Sequence, residues 1–174
     1  MAAEKNGPVK SIATGATSSA VPTALPAPGS DITWASPWTE IAVDLGEEDI
    51  AFTLREESLD IEGPLDQNRQ SEIMFKNGID TVTFGIYQLA QEAFALSSTN
   101  ATTSNIEEEG TTITYRAMCF EFTGIGLLYL PKVRIKPLTL SGSIKTQAKM
   151  VYEGKVFGTT TIPSGYQWHE FDGS

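Results

Sequence analysis

Apolar residues recur with period two through much of this chain. Ile50, Phe52 and Leu54 alternate with smaller or polar neighbours, Leu59 and Ile61 alternate with Ser58, Asp60 and Glu62, and in IDTVTFGIY the apolar Val82, Phe84 and Ile86 oppose Thr81 and Thr83. Successive side chains of a strand point to opposite faces, so each run has one face to bury and one to leave in water. The late segments TTITYRAMCFEFTG, IGLLYLP and KVRIKPLTLSGSIKTQAKMVY continue the pattern, with Ile144, Thr146, Ala148, Met150 and Tyr152 on one face and Lys145, Gln147 and Lys149 on the other. Strands dominate.

One stretch departs from this period. YQLAQEAFALSS spaces Leu89, Ala90, Ala93, Phe94 and Leu96 by three and four with no glycine or proline inside, which predicts a helix of about 11 residues, roughly 16 Å long. It follows the strand IDTVTFGIY directly and is expected to fold back over that strand's dry face, bringing Phe94 against Phe84. GPLDQNRQSEIMFKNG, from Gly63 to Gly78, opens on Gly-Pro and closes on Asn-Gly, so it is expected to be a long loop. The fold class is therefore mainly β with one helix, a β-sandwich or partial β-barrel flanked by that helix. Leu59, Ile61, Val82, Phe84, Ile86 and Phe94 are the expected core.

Residues 1–30 are dominated by Ala, Ser, Thr, Gly and Pro, with four prolines between Pro8 and Pro28. So few large apolar side chains cannot offset the entropy of ordering the segment, and an extended N-terminal arm is expected, followed by a single domain over 31–174. A chain of 174 residues with 40% hydrophobic content can bury one core. No apolar run approaches the roughly 18 residues of a membrane span, and the N-terminus lacks the order of a signal peptide, so a protein made in a cytoplasm and without a membrane partner is expected.

The residues offer little chemistry. One cysteine, Cys119, cannot form an internal disulfide, and one histidine, His169, cannot build a multi-histidine zinc site. Acidic residues are dense in ESLDIEGPLDQN, yet they lack the order of a calcium loop and the companion groups that catalysis by paired carboxylates requires. Cys119 reads as a small core residue, His169 as a surface or interface residue, and Asn100-Ala101-Thr102 as a glycosylation acceptor only in a secreted chain. Neither an enzyme nor a cofactor is expected.

Charge is unevenly spread. The formal net charge of −10 opposes non-specific attraction to nucleic acid. Between Glu47 and Glu72 there are nine acidic and two basic residues, whereas between Pro131 and Lys155 there are six basic residues and one acidic. Two such patches suit head-to-tail association of copies, with Lys132, Arg134, Lys136, Lys145 and Lys149 as a basic assembly face.

The order of these parts resembles the major tail tube proteins of long-tailed bacteriophages. The resemblance is carried by the Pro-rich arm, ITWASPWTEIAVDLGEEDIAFTLREESLDIEG, the long loop, IDTVTFGIY running into YQLAQEAFAL, and YLPKVRIKPLTLSGSIKTQAKMVYEGKVF, and spans about residues 30 to 158. It implies a ring-forming fold, six copies to a ring, rings stacked into a tube, and neighbouring sheets joined around a lumen. It further implies a virion tail assembled in the host bacterial cytoplasm, with tail tip, tape measure and terminator proteins as partners. Viral DNA would pass without specific binding. On this resemblance Glu56, Ser58, Asp60, Glu62, Thr81 and Thr83 are placed toward the lumen, where carboxylates would repel phosphate. Asp66, Arg69, Glu72 and Lys76 are placed in a loop between rings. The long arm and the aromatic tail YQWHEF depart from the plainest form of the pattern. A head-tail connector or tail terminator would share a ring-forming β fold. A carbohydrate- or receptor-binding β-sandwich would need exposed aromatics, for which Trp34, Trp38 and Trp168 are the candidates.

Overall fold

The computed structural model describes residues 9–17, 19–42, 50–60, 71–86, 115–143 and 146–173; at 42 and over 55–60, 71–77, 139–143 and 146–149 it describes the backbone alone. The chain is mainly β. Its strands are β1 (Val9–Ala16), β2 (Thr39–Ala42), β3 (Ile50–Asp60), β4 (Ser71–Ile86), β5 (Tyr115–Phe122), β6 (Gly126–Ser143), β7 (Thr146–Val156) and β8 (Gln167–Glu170). They form one antiparallel sheet in the order β2-β1-β5-β6-β7-β4-β3, with β8 also paired to β6.

β6 is the spine. Its first part, Gly126–Tyr129, lies between β5 and β8, and its later part pairs with β7 from Val133 to Ser143. A strand of 18 residues that changes neighbours must bend, and its prolines mark where. Pro131 and Lys132 together oppose the single Ala117, and Leu138 is the extra residue after Pro137, so each proline sits at a β-bulge. Proline lacks a ladder donor and is tolerated at such irregularities.

The bend folds the sheet over its own core. β3 lies four steps from β5 in the sheet order, about 19 Å away if the sheet were flat at ~4.8 Å per strand. Yet the Phe52 and Phe120 ring centroids are 5.2 Å apart and edge-on, and those of Phe84 and Phe120 are 6.3 Å apart. Ile12, Val82, Phe84, Ile86, Met118, Phe120, Leu130, Val133, Tyr152 and Val156 are buried together between the two halves. Tyr152 stacks on Phe84, and burial pushes its phenol up to about 12. Gly154 belongs to this interior for want of space: a Cβ there would lie 2.6 Å from Cγ1 of Val133 and 2.9 Å from Cγ1 of Val82.

A second apolar layer covers the opposite face of β1, β5 and β6. Ala13, Ala117, Cys119, Leu127 and Tyr129 lie beneath Ile32, Trp38 and Phe171, with Val21, Leu25 and Trp34 packed against them. The covering segment is tied down by Trp38 Nε1 donating to the Ala20 carbonyl at 3.0 Å, the Tyr129 hydroxyl donating to the Ser19 carbonyl at 2.7 Å, and the Gly29 N–H donating to the Gly124 carbonyl at 2.9 Å.

Two expectations change. From Val9 onward the supposed arm is part of the folded body: β1 lies between β2 and β5, and its residues 11–15 are buried. Small residues there serve close approach, since a Cβ on Gly15 would meet the Ser19 side chain at 3.0 to 3.2 Å. The long loop is also shorter than expected, because Ser71–Gly78 belongs to β4, with Ser71–Phe75 paired to β3. Glu72 and Lys76 are therefore strand residues. Lys76, Asn77 and Gly78 have no opposed residue in the ladder and fall at a register shift, so these turn formers mark an irregularity within the strand and not its end. The helix expected around Leu89–Leu96, with Phe94, and residues 1–8 lie outside the described residues.

Candidate functional site

Alternation along β6 puts Val133 and Ile135 in the core and Arg134 and Lys136 outside. On β7 it buries Tyr152 and Val156 and turns Glu153 and Lys155 outward. On β4 it buries Val82 and Phe84 and leaves Thr81 and Thr83 on the same outward side. Directly opposed residues of an antiparallel ladder share a face. The ladders oppose Arg134 to Lys155, Lys155 to Thr81, and Thr81 to Thr53; one step along, Lys136 opposes Glu153 and Glu153 opposes Thr83.

The threonines expected at a lumen and the cations expected at an assembly face thus share one surface. The sequence separates the sets by fifty residues, and only the β4–β7–β6 pairing brings them together. Lys149 is placed in β7 opposite Ser141, and Lys145 lies outside the described residues.

The charges on this face are arranged in pairs. Lys155 Nζ is 2.7 Å from both carboxylate oxygens of Asp80, and Lys136 Nζ is 2.8 Å from Oε1 of Glu153. Arg134, Lys136, Glu153 and Lys155 line a shallow depression of about 310 Å³. Arg134 has no carboxylate within ion-pair distance among the described residues. Lys132 places its ammonium 4.6 Å from the centre of the Tyr115 ring and 6.0 Å from that of Phe157, and the two rings meet edge-on at 5.6 Å. This aromatic seat was not read from the sequence, although the β5–β6 turn carries its signal. Gly124 has a φ of 64°, and the Ile125 N–H donates to the Phe122 carbonyl. Counting back from that turn brings Tyr115 and Arg116 beside Lys132 and Val133.

The flanks of this half of the sheet are open among the described residues. No strand pairs with the outer side of β3. Beyond Arg134, where pairing to Tyr115 ends, none pairs with β6 on the side away from β7. β4 meets β7 only from Thr81 to Ile86, so the stretch of β3 and β4 below that rung extends as a two-stranded ribbon. Glu56, Ser58 and Asp60 stand in this ribbon opposite Phe75, Ile73 and Ser71, and Leu59 opposite Glu72. Register shifts on both sides of Leu54 interrupt the alternation, so parity counted from Phe52 does not carry through to Glu56. Ile61, Glu62, Asp66 and Arg69 lie outside the described residues.

The remaining candidates are structural. Cys119 is wholly buried, and desolvation raises its thiol well above the ordinary range, which disfavours the nucleophilic thiolate. Trp38 is buried, Trp34 donates to Ser11, and Trp168 is 41% exposed against Phe122, so the three indoles form no common platform. His169 sits in β8 opposite Leu127. Among the described residues no group of three or more His, Cys, Asp or Glu could hold a metal, and no helix is long and apolar enough to cross a membrane. No protein-family model and no curated protein matches the chain.

Proposed function

We propose that this chain is a structural subunit that closes into rings of six and stacks into the tail tube of a long-tailed bacteriophage, a conduit for DNA during ejection. The observation that carries this reading is the four-stranded half-sheet β3-β4-β7-β6, which has an unpaired flank on each side among the described residues. Unpaired strand edges are templates for pairing with another chain. Two different edges on one sheet suit a head-to-tail contact that closes when the rotation per copy permits. The ribbon of β3 and β4 adds to it. A lone two-stranded ribbon is marginal in water, so a neighbouring copy or ring is its natural support.

In such a ring the outward face of the half-sheet would turn to the lumen, and Thr81 and Thr83 would line it together with Arg134, Lys136 and Lys155. Tail tip, tape measure and terminator proteins would be the partners at its ends. Trp38 is buried beside Trp34, and Trp168 packs on Phe122, which weighs against the carbohydrate-binding alternative with its need for exposed aromatics.

Negative-stain microscopy of the purified protein over a range of concentrations tests the proposal. Rings and tubes of uniform diameter are expected. A monomer at every concentration would overturn it, and single rings that never stack would point to a connector or terminator instead.

A further inference from the structure

An outward face with Lys132, Arg134, Lys136 and Lys155 on adjacent strands has the makings of a polyanion site. Alternate residues of β6 are about 6.6 Å apart, and directly opposed residues across a ladder about 5 Å, so these four cations stand within a span of roughly 13 Å. A phosphate backbone presents about one negative charge per 1.7 Å of duplex axis and would meet several of them at once. Two carboxylates intervene. Asp80 lies against Lys155, and Glu153 against Lys136.

From this arrangement we infer that Asp80 and Glu153 are charge guards, which keep this face from holding nucleic-acid phosphate. Each pair is partly exposed, with lysine side chains 49% and 60% accessible, so its contribution to stability is small. Its effect on the field outside is larger. Opposite charges less than 3 Å apart are well inside a Debye length of about 8 Å at physiological salt, so a phosphate approaching from solution meets a nearly neutral pair. Arg134, and Lys132 seated on Tyr115, remain as cations with no carboxylate partner among the described residues, too few for counterion release to give lasting attachment. Nucleic acid is the occupant favoured over an acidic protein segment because Lys132, Arg134 and Lys136 alternate in a row along β6, matching a uniformly charged polymer. The purpose of the guards rests on the tube reading: a wall that carries lysines must still let DNA slide.

The test is gain of binding. Purified wild type and the Asp80→Asn/Glu153→Gln double variant are titrated into a fluorescent DNA duplex at low and at physiological salt, with each single variant beside them. The double variant should bind at least about tenfold more tightly than wild type at low salt, with a log–log salt slope near −3, as expected for roughly three phosphate contacts. Adding Arg134→Gln and Lys155→Gln should return it to the wild-type level. Each single variant should show part of the gain, so the proposal stays decidable if the double variant folds poorly. It is overturned if neither the singles nor the double gain affinity, or if wild type already binds as tightly. Binding equal for DNA and for polyglutamate would replace the nucleic-acid assignment by a general acidic partner. Microscopy of the same samples keeps the two ideas apart: gained binding without tubes removes the tube reading alone, and normal tubes without gained binding remove the guards alone.

Discussion

Glu121 is only 2% exposed, yet it is a carboxylate in the middle of β5. Its burial is tolerated because both oxygens are engaged. Ser11 Oγ donates to Oε2 at 2.6 Å, the Ile32 N–H donates to Oε1 at 2.9 Å, and Ser11 in turn accepts from Trp34 Nε1 at 2.9 Å. Lys10 and Asp31 form an ion pair beside this network. Glu121 thereby fastens both β1 and the segment that crosses it. Truncation to alanine would leave a hydroxyl and an N–H without their acceptor, and each such loss costs about 1–3 kcal/mol. Glu121→Ala should therefore lower the unfolding free energy in urea by about 3 kcal/mol. A change within 0.5 kcal/mol, the usual scatter of about that size for surface substitutions, would mean that solvent satisfies these groups.

At the scale of elements, β1 and β6 do most to set the architecture. β1 is buried on both sides: Ile12 faces the core between the half-sheets, and Ala13 faces the layer under Trp38. Composition gives little warning, because SIATGA has only one large apolar residue. Ile12→Ala separates an arm from a core strand. In an arm it would change nothing; in this strand it should cost about 2–5 kcal/mol in denaturant unfolding and lower the melting temperature. β6 decides the curvature, since its two bulges let one strand serve β5 and β8 at one end and β7 at the other.

For the whole molecule, the open flank of β3 has the largest consequence. Leu54 lies at a register shift on this strand and is 56% exposed, a large apolar side chain on an edge with no neighbour among the described residues. Charge on an edge strand is a common device against pairing between chains. Leu54→Lys should leave monomer stability within about 0.5 kcal/mol of wild type, because little buried area is lost, and, if copies join through this edge in the proposed rings, light scattering and microscopy should show assembly suppressed. Unchanged assembly would exclude this edge as the joint between copies.

Period-two alternation sufficed to reveal a β protein and to pick out Val82, Phe84 and Ile86 as interior residues, because strand geometry forces every second side chain to one face. The same counting failed beyond Phe52, where register shifts interrupt the alternation. Composition misjudged residues 9–30 for a related reason: Ala13, Gly15 and Val21 contribute through how closely another segment approaches, which no count of large apolar residues contains. Strand order was the other gap. Thr81, Lys155 and Arg134 are neighbours only because β7 lies between β4 and β6, so the local chain could show that each side chain points outward but not that they share a face. The sequence by itself determined which side of each regular strand is dry; only the tertiary pairing decided which charges meet, because an ion pair depends on distances across strands that the chain's own alternation leaves open.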